Sequence, residues 1–393
     1  MPSVVSLKRN WTDLAQRDAK GSIKPNLRNA RLAISDEIPG FHLDEFSGRV
    51  IVSDPLPWNA ETGRLWSDID SINTADLLQS CDLQISVDTV HAAVASVAHA
   101  RRRHPLREWL SSLVWDGKPR VSRWLSWYLG ADSSAYTSAV GQAWLISAVA
   151  RVFSPGCKAD HILVLEGSEG IGKSTAIRCL AGDRYFTDDV AALGTKDAAQ
   201  QLAGRWLIEM AEMDSIRRPS QFSTVNAFLS RTTDIYRPAY GRHVIEQPRQ
   251  CIFAGTVNPP FTLPDEDGSR RFWFVPVTSC DTPEIARDRN QLWAEAVTLF
   301  HAGEPWWLVE KDAADTARET QAAHKSSDPW EELIADYVIM NTGDVSVKDV
   351  LAGCMQMHKE KWTRREEMRV ADILKRLGFS KYRKTNGNSW RRE

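Results

Sequence analysis

Hydrophobic residues are arranged along this chain in two ways, as short continuous runs and as helical repeats. Short apolar runs occur at residues 162–165, 206–208, 251–257 and 273–277. Each run is rich in β-branched or aromatic residues and is followed by a polar or glycine residue, which is typical of a strand buried on both faces. Together with the helical patterns between and around them, these runs predict an α/β fold with a mainly parallel sheet.

The first part of the chain predicts a small α/β or mostly helical domain, residues 1–104. Residues 41–52 alternate between apolar and polar side chains around a Ser-Gly pair, which predicts a hairpin. Asn73 or Thr74 is suited to cap one helix, and Asp88 is suited to cap the next.

The remaining patterns divide the chain into four further regions. Residues 105–157 predict helices that form a collar or lid, and residues 158–310 hold the four apolar runs. Residues 311–327 are polar and Ala-rich, which favours a helical linker. Residues 328–393 predict three helices followed by a hairpin at an Asn-Gly pair, an order that suggests a winged-helix-like domain.

Composition and charge exclude several classes of protein. The chain has 393 residues and a formal net charge of −2, so any nucleic-acid surface must be a local patch. The six cysteines form no C-x-x-C pair, which argues against a zinc or disulfide scaffold and favours a reducing cytoplasm. The N-terminus lacks an apolar signal segment, and no stretch approaches the roughly 18 apolar residues of a membrane helix. We therefore expect neither a signal peptide nor a membrane span.

A glycine-rich segment follows the first apolar run. Residues 167–174, GSEGIGKS, fit the Walker A pattern G-x-x-x-x-G-K-[ST], in which backbone N–H groups converge on nucleotide phosphates. The helix after it adds its positive N-terminal end, Lys173 is expected to reach the β- and γ-phosphates, and Ser174 to ligand Mg²⁺. An ordinary glycine-rich turn is the alternative. The residues expected to bind ATP are Gly167, Ser168, Glu169, Gly170, Ile171, Gly172, Lys173, Ser174 and Thr175.

Polar residues at the ends of the other runs suggest the rest of a hydrolytic site. After the second run, we assign Glu209 to the metal and Glu212 to the general base, although their three-residue spacing leaves that division open. Asn258, after the third run, is expected to position the attacking water. Arg270 or Arg271, before the fourth run, is suited to reach the γ-phosphate of a neighbouring subunit. Solvated strand ends and a surface arginine pair are the alternatives.

Two basic segments are candidates for nucleic-acid contact. Residues 231–249 combine cations, Arg231 and Arg249 among them, with two tyrosines, which predicts a basic hairpin suited to single-stranded nucleic acid. From Lys359 onward the chain is strongly basic, which favours duplex DNA binding. A subunit contact and a protein–protein module are the respective alternatives. The candidate contact residues are Arg237, Tyr240, Arg242, His243, Arg364, Arg365, Lys381 and Arg383.

The sequence resembles the virulence-associated protein E family of phage and mobile-element ATPases, which are related to superfamily-3 helicases and poxvirus-type primase-helicases. The resemblance covers roughly residues 103–307 and is carried by HPLREWLSSLVWDGKPR, YLGAD, PGCKADHILVLEGSEGIGKST, WLIEMAE, YRPAYGR, PRQCIFAGTVN and GSRRFWFVPV. It implies an AAA+-like P-loop core with a five-stranded sheet, a homo-oligomeric ring that is commonly hexameric, and a replication-linked role on single-stranded DNA in a bacterial cytoplasm. It supports the roles given above to Lys173, Ser174, Glu209, Glu212, Asn258 and the arginine pair.

The sequence thus predicts an ATP- and Mg²⁺-dependent DNA helicase or translocase. A second hypothesis is a protein that binds or loads at duplex origin DNA and uses ATP only to assemble. A third is a nucleotide-triggered defence or regulatory ATPase, which DNA would not need to stimulate.

Overall fold

The computed structural model describes residues 11–189, 195–210, 213, 219–237, 243–259, 269–324, 330–341, 344–384 and 387–392. The described chain divides into two compact units, a larger one that ends at Ala323 and a smaller one that begins at His324. The larger unit contains an N-terminal core and a central core, and the smaller unit has its own core. Among these residues, no helix is both long and apolar enough to cross a membrane.

The N-terminal part of the larger unit packs helices against a hairpin. Its elements are α1 (Trp11–Leu14), α2 (Leu27–Glu37), β1 (Phe41–Asp44), β2 (Arg49–Val52), α3 (Asp68–Ser80) and α4 (Val87–Ala100). The predicted hairpin is confirmed, because β1 and β2 pair antiparallel with Phe41 opposite Val52.

The starts of α3 and α4 differ from the prediction. Neither Asn73 nor Thr74 caps α3, because Ser67 and Asp70 already do so: Asp70 N–H donates to Ser67 Oγ at 3.4 Å, and Ser67 N–H donates to the Asp70 carboxylate at 2.8 Å. This reciprocal pair satisfies two backbone donors that the first helical turn leaves open. Ser86, rather than Asp88, caps α4 in the same region of the chain.

Three helices connect this part to the central sheet, as their apolar spacing predicted. They are α5 (Pro105–Ser112), α6 (Trp124–Leu129) and α7 (Ala135–Phe153). The side chains of α7 are buried almost throughout, and Trp144 donates from its indole to the carbonyl of Phe253 at 2.9 Å. The helical region therefore packs directly on the sheet.

A parallel sheet forms the centre of the larger unit. The elements from this point to Ala323 are β3 (Ile162–Glu166), α8 (Lys173–Ala181), β4 (Phe186–Thr187), α9 (Lys196–Gln201), β5 (Leu207–Met210), α10 (Pro219–Leu229), β6 (Thr233–Tyr236), β7 (Ile245–Pro248), β8 (Ile252–Val257), β9 (Phe272–Pro276), α11 (Thr282–His301) and α12 (Lys311–Ala323). Five strands pair in the order β4–β5–β8–β3–β9, all parallel. The α/β class and the five-stranded sheet are thereby confirmed. The strands are continuous apolar runs because helices such as α7 and α8 pack on them.

The segment predicted as a linker, residues 311–327, begins with α12. Ala313 and Ala317 of this helix are buried, and the side-chain amide of Gln321 donates to the carbonyl of Phe272 at 2.9 Å. Through that bond α12 lies against β9, so it belongs to the larger unit.

The smaller unit contains helices followed by a hairpin, in the predicted order. Its elements are α13 (Glu331–Met340), α14 (Val347–Asp349) continuing as a π-helical turn (Val350–Cys354), α15 (Arg364–Arg376), β10 (Phe379–Lys384) and β11 (Gly387–Arg392). Ser346 caps α14 as predicted. Ile334, Val370, Ile373 and Trp390 are among the buried side chains that hold the helices and the hairpin together.

Candidate functional site

The glycine loop and two of the predicted catalytic residues, Glu209 and Asn258, meet at one edge of the central sheet. Parallel strands all end at the same edge, and residues that follow neighbouring strands therefore lie close together. Gly167 follows β3, Glu209 lies near the end of β5, and Asn258 directly follows β8, which pairs with both of those strands. The fold thus brings together three segments that are far apart in sequence.

The glycine loop, residues 167–174, connects β3 to α8. A Cβ on Gly167 would lie 2.5 Å from the carbonyl oxygen of Val277, so only glycine fits there without a shift of the backbone. Gly170 and Gly172 have positive φ angles of 80° and 95°. α8 begins at Lys173, so the first N–H groups of the helix, which the helix geometry leaves without an intrahelical acceptor, are those of Lys173, Ser174 and Thr175. Such a helix start favours an anion.

Lys173 holds the glycine loop together from inside. Its Nζ donates to the carbonyls of Gly167 at 2.6 Å and Ser168 at 2.8 Å, and to Oδ1 of Asn258 at 3.1 Å. The residue is 8% exposed. Phosphate oxygens carry full charge, so an ammonium in this position is well placed to exchange these three neutral partners for them.

Glu209 is the buried acid of the site. It is 1% exposed, and its Oε1 accepts hydrogen bonds from Ser174 Oγ and from Thr256 Oγ1, each at 2.6 Å. The other oxygen, Oε2, is buried and has no hydrogen-bond partner among the described residues. A carboxylate oxygen beside a serine hydroxyl is the kind of oxygen donor set that Mg²⁺ binds. These residues therefore fit a magnesium ion, and the unpartnered Oε2 is the atom such an ion or its water would satisfy.

Thr256 is a site residue that sequence reasoning missed. It lies on β8 two residues before Asn258, and alternate residues of a strand point to the same face. Its hydroxyl reaches Glu209 while Asn258 reaches Lys173. The signal was present in the sequence GTVN, because a hydroxyl two positions before a candidate polar residue shares its face.

Cys280 lies beside the glycine loop. A Cβ on Gly172 would be 3.4 Å from the Cβ of Cys280. Burial raises the pKa of the Cys280 thiol, and the nearby charge of Lys173 opposes that rise.

The predicted arginine pair lies at the opposite edge of the sheet. Arg270 and Arg271 precede β9, whose five residues span roughly 16 Å. Arg271 pairs with Asp160 at 3.2 Å, whereas Arg270 is exposed and makes no ion pair with the described residues. The glycine loop follows the other end of the neighbouring strand β3, so neither arginine can reach the glycine loop of its own chain without a large rearrangement.

His161, next to Asp160 in the sequence, stacks on Trp273. Burial lowers the pKa of His161 to about 4.

The predicted basic hairpin forms, with β6 and β7 paired antiparallel and Tyr236 opposite Ile245. Arg237 and His243 are exposed near its tip. Glu212, Tyr240 and Arg242 lie outside the described residues.

Arg249 is not part of the basic surface, contrary to the prediction. It is 2% exposed, forms two bonds to the carboxylate of Asp234 at 2.6 and 2.9 Å, and donates to the carbonyl of Phe228 at 2.6 Å. Sequence shows the charge of an arginine but not its burial.

The basic residues of the smaller unit have varied surroundings. Arg364 and Lys381 are exposed, and the side chains of Arg365 and Arg383 lie outside the described part. Exposed acids, Glu367 and Asp372, share α15 with Arg364, whereas Lys381 lies on β10.

The family model of the virulence-associated protein E-like domain matches residues 110–326 of this chain. These residues include the glycine loop, Glu209, Asn258 and the arginine pair. The chain belongs to the virulence-associated protein E-like family. The match does not include residues 1–109 or the elements of the smaller unit.

Solved structures similar to this family member include apo structures of the NrS-1 C-terminal region. Two of them, an A form and the region 305–718, show 12% and 13% sequence identity and TM-scores of 0.40 and 0.44. In each case the alignment covers 72% of this chain and 77% of the other. No curated protein matches this chain.

Proposed function

We propose that this protein is an ATP-dependent DNA helicase or translocase that acts in the replication of a phage or mobile genetic element. The observation that carries the proposal is the network at the carboxyl edge of the sheet, in which Lys173 contacts Asn258 and Ser174 contacts Glu209. Three separate segments supply these groups, and each has the chemistry that phosphoryl transfer to water requires. The family membership agrees with a role in such elements.

In this proposal the glycine loop is a P-loop of an AAA+-like core, and it binds the phosphates of ATP through its N–H groups. Lys173 exchanges its carbonyl partners for β- and γ-phosphate oxygens. Ser174 and Glu209 hold Mg²⁺, which when bound neutralises the charge that develops on the phosphates. Asn258 orients the attacking water, and Glu212 accepts its proton.

A ring of subunits, commonly a hexamer in this type of protein, would complete the site. Arg270 and Arg271 lie at the sheet edge opposite their own glycine loop, so a finger from this pair would have to act on a neighbour. Its guanidinium would stabilise the charge of the transition state there. Arg270 is the better candidate, because Arg271 is held by Asp160.

In this proposal both basic segments, the β6–β7 hairpin and the smaller unit, contact DNA. The β6–β7 hairpin, with Arg237 and His243 exposed and Tyr240 and Arg242 in its tip sequence, would hold single-stranded DNA. We interpret the smaller unit as a winged-helix-like domain that binds duplex DNA, because helices and a hairpin pack around one core in that order.

The ATPase rate with and without single-stranded DNA tests the proposal. Lys173→Ala should abolish turnover because the phosphates lose their principal cation, and exposed Lys118→Ala is the matched control that should not change it. Strong stimulation by DNA, followed by strand separation of a forked duplex, is the expected result. Turnover indifferent to DNA would refute the motor and favour the regulatory ATPase. DNA binding without unwinding would favour the loading protein.

A further inference from the structure

The carboxylate of Glu209 is held by two hydroxyl groups of different origin. Ser174 comes from the glycine loop, whereas Thr256 comes from the central strand β8, and both donate to the same oxygen, Oε1. A planar carboxylate whose one oxygen is fixed has its second oxygen fixed as well. Here that second oxygen, Oε2, is buried, and no residue in the described part of the chain hydrogen-bonds to it.

The two hydroxyls differ in what they can do when a metal is present. Ser174 lies at the start of α8, where it would itself become a metal ligand. Thr256 is 9% exposed and sits within a strand paired on both sides, so its position is fixed by the sheet. Ser174 would therefore exchange its hydrogen bond to Glu209 for a bond to the metal. Thr256, held in the sheet, would continue to donate its hydrogen bond to Glu209.

We propose that Thr256 is a positioning residue for the metal of this site, a role that rests on the proposed function. Its hydroxyl occupies Oε1 of Glu209 and thereby leaves Oε2 as the oxygen available to Mg²⁺ or to a water bound to it. Partners of this kind, one bond removed from the metal, typically change metal affinity by about 10- to 100-fold when they are removed. Thr256 also connects the acid to Asn258 on the same strand face, so the metal and the lysine are positioned from one strand.

The test compares Thr256→Val, which removes only the hydroxyl at nearly constant volume, with Thr256→Ser, which keeps it. Binding of a fluorescent ATP analogue is measured in the full chain, first in EDTA and then with increasing Mg²⁺. In EDTA, the affinity of Thr256→Val for the analogue should lie within about twofold of that of the unmodified protein. The Mg²⁺ concentration that gives half of the Mg²⁺-dependent change in fluorescence should be roughly 10-fold higher in the variant. Thr256→Ser should restore the normal Mg²⁺ requirement.

Thr74→Val is the matched control for loss of a buried hydroxyl. Thr74 is 0% exposed and donates to the carbonyl of Asp70 within α3, a helix of the N-terminal part that supplies no residue to the site. It should lose stability without a change in Mg²⁺ requirement.

The outcomes separate this inference from the function on which it rests. An unchanged Mg²⁺ requirement in Thr256→Val, with nucleotide binding intact, overturns the inference alone. An equal loss of binding with and without Mg²⁺ also overturns it, because the role would then be structural. If Thr256→Val does not fold, an increased Mg²⁺ requirement in Thr256→Ser overturns the inference, because the hydroxyl is retained. Failure of the unmodified protein to bind the analogue under any condition refutes the proposed function and this inference with it.

Discussion

Two adjacent arginines, Arg270 and Arg271, have opposite surroundings. The side chain of Arg271 is 16% exposed and pairs with Asp160, which is 10% exposed, while Arg270 extends into solvent. Removing one partner of a pair that is mostly shielded from water leaves the other charge uncompensated, and this costs more than breaking an exposed pair. Identical residues in neighbouring positions are therefore expected to have different roles.

Substituting each arginine in turn separates stability from catalysis. Arg271→Ala should lower the free energy of unfolding by about 2 kcal/mol, because it leaves Asp160 unpaired. Arg270→Ala should change it by less than about 0.5 kcal/mol but reduce the ATPase rate by at least about 100-fold. Urea unfolding and steady-state turnover measure the two effects.

Mixing experiments show whether Arg270 acts on a neighbour. Arg270→Ala and Lys173→Ala chains, each inactive alone, should regain part of the turnover when mixed, because some interfaces then combine an intact glycine loop with an intact Arg270. No recovery in mixtures that assemble normally would contradict action between subunits.

At the scale of elements, one buried ion pair holds the base of the β6–β7 hairpin. Asp234 is 5% exposed and Arg249 is 2% exposed, and the Arg249 guanidinium also lies over the ring of Phe228 at 4.6 Å. Removing one partner of such a pair leaves a charge in the interior with no compensation. The hairpin is thus fixed at its base, whatever its tip contacts.

Asp234→Asn should lower the free energy of unfolding by about 3 kcal/mol, because Arg249 stays buried without a counter-charge. Glu284→Gln is the matched control, since it breaks the exposed pair with Arg287 and should cost less than about 1 kcal/mol. Urea denaturation measures both. Equal losses in the two variants would show that burial of the hairpin pair contributes nothing extra.

The N-terminus of α3 gives a pH-dependent contribution to stability. Burial alone would raise the pKa of Asp70, but hydrogen bonds from Arg64, Trp58 and Ser67 outweigh it and hold that pKa well below its usual range. Because the folded pKa is depressed, the stabilisation is complete above the unfolded value of about 4 and is lost as the pH falls below it. The slope from this group is at most about 1.4 kcal/mol per pH unit.

Asp70→Asn should lower the free energy of unfolding at pH 7. It should also remove the part of the acid-dependent loss of stability that comes from protonation of this carboxylate. The free energy of unfolding of both proteins, measured from pH 7 down to about pH 3, should converge as the pH falls. Parallel curves over that range would contradict the assignment.

These elements also show what the sequence could predict and what it could not. Strands β3, β5, β8 and β9 were predictable because each is a continuous apolar run that ends at glycine or a polar residue. The start of α3 was not, because Asp70 and Thr74 are polar yet fully buried, so they break the helical pattern of apolar residues. Arg249 was wrongly predicted to lie on a basic surface, and the sequence could not distinguish Arg271 from Arg270. In both cases the burial of the arginine comes from contacts with residues far away in the sequence. Thr256 was missed because its partner, Glu209, lies on another strand.

At the scale of the whole molecule, the described chain has two units with separate cores, and the family match ends close to the division, at residue 326. The proposed nucleotide site lies wholly in the larger unit, whereas the predicted duplex-binding residues Arg364 and Lys381 lie in the smaller one. A unit with its own core is expected to fold without its neighbour. The two proposed activities should therefore be separable.

A chain that ends at Ala323 should keep nucleotide binding and bind duplex DNA at least about 10-fold more weakly, because it loses the basic helix and hairpin. In the full chain, the double variant Arg364→Ala, Lys381→Ala should weaken duplex binding regardless of the DNA sequence. The slope of log binding constant against log salt concentration should become shallower by about 2, because two phosphate contacts are lost. Fluorescence anisotropy with a labelled duplex at several salt concentrations measures both. Unchanged duplex affinity in the shortened chain would assign the smaller unit to protein contacts instead. The exposed Glu367 and Asp372 on α15 would then be the natural place to look, because acids beside cations suit a protein partner better than a phosphate backbone.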